Sequence, residues 1–77
     1  MLGTFNEETI MNYKGYSIQT TKNANTGSWD TYIFDSKSPI AVDIPYTLGQ
    51  KRISTRLKRH GVQRAQLIVN DLTANKE

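Results

Sequence analysis

Six of the ten Lys and Arg residues lie between positions 50 and 64, in QKRISTRLKRHGVQR, which also holds the sole His and no acid. Side chains of this kind bind anions. Arg forks to a phosphate or a guanine edge, and Lys acts as a point charge. At about 100° per residue, Arg52, Arg56 and Arg59 recur at i, i+4 and i+7 and share one helical face. Gln63, Gln66 and Asn70 extend that face with amides suited to an adenine edge. Lys51 and Lys58 flank one side, His60 and Arg64 the other. Outer faces of helices ordinarily mix signs, because Glu–Lys pairs at i, i+4 stabilise and like charges there destabilise. A run without acid therefore points to an anionic partner. Nucleic acid comes first, an acidic protein surface second, and a merely solvated face is the plain alternative.

Aromatic residues form a second group. Tyr13, Tyr16, Trp29, Tyr32 and Phe34 fall in two adjacent strand-like segments. Alternation places Trp29 toward a core and Tyr32 and Phe34 on the other face, where they would stack on bases or anchor a partner. No catalytic set accompanies them. His60 has no carboxylate near it in sequence, there is no Cys, and Asp30, Asp35 and Asp43 are scattered. No Ser–His–Asp grouping is evident, and NTGS lacks the frame of a phosphate loop. The chain reads as non-enzymatic, with no metal and no cofactor.

The elements that must position these residues follow from periodicity. GYSIQTTK and WDTYIFD alternate as strands, joined through NANTGS, a loop of Asn, Gly and Ser. IAVDIPY alternates Ile40, Val42, Ile44 and Tyr46 and predicts a third strand, at an edge because Pro45 has no N–H. Thr47 and Gln50 match the capping box T-x-x-Q and predict a helix from there. Ile53, Leu57, Gly61, Ala65, Ile68 and Leu72 recur every three or four residues as its buried stripe. Gly61 either lets the helix press on the sheet or breaks it in two. The stripe keeps phase through Gly61, which favours one helix with a kink at most. Val62, Leu67 and Val69 lie off the stripe and read equally as a homodimer contact or a wide core face.

The expected fold is α+β: a three-stranded antiparallel meander packed against one long C-terminal helix, β-β-β-α. Ile18, Trp29, Ile33, Val42 and Ile44 would meet the helix stripe, with Trp29 as central anchor. Seventy-seven residues allow one small domain with a thin stability margin. Residues 13–74 would form it, with 1–12 a flexible N-terminal extension and 75–77 a frayed tail. In outline this order resembles several small β-β-β-α modules. Among them are the arm-site DNA-binding domains of tyrosine recombinases and the antitoxins of the HicB type, which open with a Y-K-G-Y-like strand. The likeness covers about residues 13 to 72 and is architectural. In the recombinase domains the sheet enters the groove, whereas here the cations fall on the predicted helix.

Charge is segregated. Residues 1–46 carry three Lys and five acids, and residues 47–77 carry seven cations and two acids. No leader pattern and no membrane-length apolar run is evident, so a cytoplasmic protein is expected. The reading is a small nucleic-acid-binding accessory or regulatory protein. Its contact residues would be Lys51, Arg52, Arg56, Lys58, Arg59, Gln63, Arg64 and Gln66, with Tyr32 and Phe34 as stacking or interface residues. The alternative is a protein-interaction module, such as a phage or mobile-element inhibitor or adaptor, whose basic helix docks on an acidic or nucleic-acid-binding surface.

Overall fold

In the computed structural model, residues 9–74 are described. They form an antiparallel four-stranded sheet and one C-terminal helix: β1 (Thr9–Tyr13), β2 (Tyr16–Lys22), β3 (Trp29–Asp35), β4 (Ile53–Thr55) and α1 (Lys58–Ala74). Strand order follows sequence order, β1-β2-β3-β4. The α+β class stands as expected, but the strand set differs at both ends.

At the start, Thr9–Tyr13 is a strand, not part of an extension, and pairs in register with β2 from Thr9↔Thr20 to Tyr13↔Tyr16. Residues 1–8 and 75–77, assigned from sequence to the extension and the frayed tail, lie outside the described residues. The β1–β2 turn is Lys14–Gly15, both at positive φ (51° and 85°). Tight hairpins need that conformation to follow the right-handed twist of the strands, and Gly adopts it without a Cβ penalty. The β2–β3 loop is held by Asn23, whose side-chain oxygen accepts from the N–H groups of Asn25 and Thr26.

The predicted third strand over 40–46 is not a strand. Only Ala41 bridges β3, opposite Phe34, and the Val42 N–H donates to the Ile33 carbonyl at 2.7 Å. Pairing does not continue: the Ile44 N–H donates to the Gln50 carbonyl at 2.7 Å instead, Pro45 has no donor, and Tyr46 turns to φ 67°. The alternation still sorts burial in part: Val42 and Ile44 pack on the core, while Ile40 and Tyr46 are exposed. The Thr47–Gln50 signal is also real but local. Thr47 Oγ1 accepts from the Gln50 N–H at 3.1 Å and donates to the Ile44 carbonyl at 2.6 Å. This closes a turn, and no helix follows it. The chain then runs into β4, which pairs with β3 through Trp29↔Thr55, Asp30↔Ser54 and Thr31↔Ile53.

The helix therefore starts at Lys58, eleven residues later than Thr47, and is continuous through Gly61 to Ala74. Its buried stripe is Gly61, Ala65 and Val69, at i, i+4 and i+8. Val69 is central, not off the stripe, and Leu57, expected in the core, is 41% exposed just before the helix. Ile53 does reach the core, but from β4. The fully enclosed set is Ile18, Ile33, Ile53, Ala65 and Val69, with Met11, Tyr13, Tyr16, Val42, Ile44 and Ile68 packed around it. Trp29 is not its anchor. It sits half-buried at the start of β3, with the ammonium groups of Lys22 and Lys58 over its ring at 5.9 and 5.5 Å.

Beneath the first helical turn the core is polar. Thr20 and Thr31 face each other across β2 and β3, fully buried, with their hydroxyls 3.3 Å apart. The pair satisfies itself in a place that water does not reach. Gly61 lies directly above it. A Cβ there would fall well inside van der Waals contact with Thr31 Oγ1 and 3.0 Å from Thr55 Oγ1. The absent side chain lets the helix approach the sheet this closely.

Candidate nucleic-acid interface

Residues alternate across a strand, so the partners of the buried set lie on the other side of the sheet. Register aligns Ile10, Gln19 and Tyr32 in one row, and Asn12, Ser17 and Phe34 in the next. The helix covers the opposite face, against β2, β3 and β4. Tyr32 and Phe34 thus occupy the face that α1 does not cover, as expected, both half-buried.

The basic run is redistributed. Because α1 begins at Lys58, Arg52, Arg56 and Arg59 do not share a helical face. Arg52 precedes β4 and reaches the open face, where its guanidinium lies 4.0 Å from the Asp30 carboxylate. Lys51 pairs with Asp43. The run free of acid in sequence is therefore partly neutralised in space by Asp43, eight positions before Lys51, and Asp30, 22 positions before Arg52. Arg56 is exposed in the turn after β4, and Arg59 and Gln63 are exposed on the outer side of α1. Gln66 faces β1 instead, donating to Met11 Sδ at 3.5 Å, and Asn70 accepts from the Tyr13 hydroxyl at 3.0 Å. These two amides hold the edge strand to the helix. Lys58 lies over Trp29, and Arg64 borders the loop around Ile44–Thr47.

The fold also creates a grouping. Tyr32, Gln50, Lys51, Arg52 and Ser54 line an open concavity of about 710 Å³ at the β3–β4 side of the uncovered face. It combines an aromatic plane, two cations and neutral hydrogen-bonding groups. Gln50 and Ser54 were not among the sequence candidates. Their signal was the alternation of Arg52, Ser54 and Arg56 against Ile53 and Thr55, which fits a strand as well as a helix. Beyond Arg56 the cations continue with Lys58 and Arg59 at the start of α1. Ion pairs among the described residues are limited to Lys51–Asp43 and Arg52–Asp30, so Arg56, Lys58 and Arg59 have no carboxylate partner there. Also among the described residues, no group of three His, Cys, Asp or Glu could hold a metal ion, and no helix is long and apolar enough to cross a membrane.

The start of α1 is electrostatically unfavourable. It has no acid in its first turn, and Leu57, whose carbonyl accepts from the N–H groups of His60 and Gly61, offers no side-chain cap. Lys58 and Arg59 stand at the positive end of the helix dipole. Arg59→Glu should therefore stabilise the fold by about 1 kcal/mol at low salt. A thermal melt should show a midpoint raised by about 4–8 °C, a gain that shrinks as salt is added. An unchanged or lower midpoint at low salt contradicts this account.

Compared with protein-family models, with curated proteins and with solved structures, the chain gives no match.

Proposed function

We propose that the protein is a small non-enzymatic nucleic-acid-binding protein with an accessory or regulatory role. The observation that carries this reading is the concavity where Tyr32 meets Gln50, Lys51, Arg52 and Ser54. A base stacked on Tyr32 would present its edge to the Gln50 and Ser54 side chains and its phosphates to Arg52 and Lys51. Arg56, Lys58 and Arg59, which pair with no carboxylate among the described residues, would continue the path for the backbone. From Arg52 to Arg56 an extended chain covers about 13 Å, room for two or three nucleotides. In this reading the contact surface is the β4 side of the sheet and the corner leading into α1, in place of the helix face expected from sequence.

The test is fluorescence anisotropy with labelled single-stranded and duplex oligonucleotides across a salt series. If about four phosphates are neutralised, the slope of log K against log salt should be about −2.8 on single strands and about −3.6 on duplex. No binding at low salt, or a slope near zero, overturns the proposal.

One observation favours a second reading as a protein-interaction module. Leu57 and Val62 form the floor of a hollow of about 490 Å³, ringed by Lys58, Arg59 and Gln63. An apolar floor with a cationic rim fits an acidic segment carrying an apolar anchor. A stoichiometric protein retained on the tagged chain after nuclease treatment, and lost with Leu57→Asp, would support it. Loss of all co-purifying protein on nuclease treatment would count against it.

A further inference from the structure

The flank of α1 facing away from β1 carries a pattern that neither reading uses. Arg64, Leu67, Ile68 and Asp71 fall on one side of the helix, about a quarter turn from the Gly61–Ala65–Val69 stripe. With Ile44 and Pro45 of the neighbouring loop they line a groove of about 550 Å³. Leu67 is 66% exposed, and on the loop Tyr46 is 99% and Leu48 102% exposed. Three large apolar side chains open to water beside an apolar groove form an unusual surface for so small a chain.

We infer that this flank pairs with a second copy of the same chain, helix against antiparallel helix, about a two-fold axis between Leu67 and Ile68. Charge placement carries the choice of occupant. Arg64 and Asp71 are seven residues apart, about 10.5 Å along the axis, and 67/68 is their midpoint. Antiparallel pairing about that midpoint sets each Arg64 level with the other copy's Asp71, giving two equivalent ion pairs at the rim. A two-fold interface must be self-complementary in this way. Between the ion pairs, Leu67 of each copy enters the groove of the other against Ile44, Pro45 and Ile68. The loop that presents Tyr46 is fixed from within by the two Thr47 hydroxyl bonds, so it closes over the partner helix with little ordering cost. The inference is independent of what anion the sheet binds.

The experiment is sedimentation or light scattering on nuclease-treated, nucleic-acid-free protein over a concentration series, with circular dichroism to confirm folding. The expected mass is twice the 8.8 kDa of one chain. Arg64→Asp and Asp71→Arg should each raise the dimer dissociation constant about tenfold or more. The double variant, with both reversed, should recover most of the loss because the two pairs form again with opposite polarity. Leu67→Asp, at an exposed position, should leave a folded monomer. A wild-type mass of one chain throughout the series overturns the inference. So does a dimer insensitive to Leu67→Asp, or a double variant no better than the worse single one.

Discussion

Gly61→Ala is expected to lower the melting temperature, although alanine is the better helix former. At an exposed interior position the exchange would gain about 1 kcal/mol. Here the new methyl meets Thr31 Oγ1 and lies 3.0 Å from Thr55 Oγ1, on a helix held to β2, β3 and β4. Neither atom is the end of a long flexible chain, and Thr31 is fully buried with its hydroxyl committed to Thr20. Relief requires the helix to lift or the hydroxyl pair to break. Overpacking of this kind costs about 1–3 kcal/mol, occasionally more. A net loss of about 2 kcal/mol would bring the midpoint down by about 10 °C in a domain of this size. Thr31→Ala alone should also destabilise, because it leaves the Thr20 hydroxyl buried without its partner. Combined with Gly61→Ala it vacates the space the methyl needs, so the double variant should lose less than the two single losses added. Strict additivity, or a Gly61→Ala protein as stable as the parent, would refute the close-approach account.

The second large effect concerns the open sheet face. Tyr32→Ala should weaken single-stranded oligonucleotide binding by about 1–3 kcal/mol, the usual loss when one stacked base is left without its aromatic plane. That is about 5- to 150-fold in the dissociation constant. Tyr32→Phe keeps the plane and should keep most of the affinity. The phosphate contacts proposed for Arg56, Lys58 and Arg59 would not involve the ring, so duplex binding should change little. Arg52→Gln should reduce both and make the salt slope shallower by about 0.7 on single strands and about 0.9 on duplex. Unchanged single-strand affinity in a folded Tyr32→Ala protein would remove the sheet face from the site. An equal loss on duplex would mean that Tyr32 acts by holding the fold.

β2 and β3 are readable in the sequence because each has seven residues and one face must be apolar, so period-two alternation has room to show. The same pattern places Tyr32 and Phe34 opposite the core. The hairpin at Lys14–Gly15 is not legible in the same way, because only the run after it reads as a strand. Its first arm, TIMNY, is weakly apolar and reads as an extension. The stretch 47–57 is ambiguous in physical terms. Ile53, Leu57 and Gly61 recur at helical spacing, but Ile53 and Thr55 also alternate with Arg52, Ser54 and Arg56. Three residues of strand are too few to separate the two periods. What decides is an edge of β3 left open beyond Ala41, which β4 fills, and no local signal reports it. Sequence periodicity assigns the cations to one helix, whereas strand pairing distributes them over the sheet face, a turn and the helix start. Asp30 and Asp43 entered the group only through tertiary contact.

The uncovered sheet face also bears on how this scaffold could be retargeted. Positions 10, 12, 17, 19, 32 and 54 point away from the Ile–Thr interior, whereas their sequence neighbours make or border it. A library randomised at these six sites and selected against new nucleobases or peptides would sample recognition while leaving the Ile18–Ile33 and Thr20–Thr31 rows intact. In such a library, binding and folding would be written in alternate letters of the same strands.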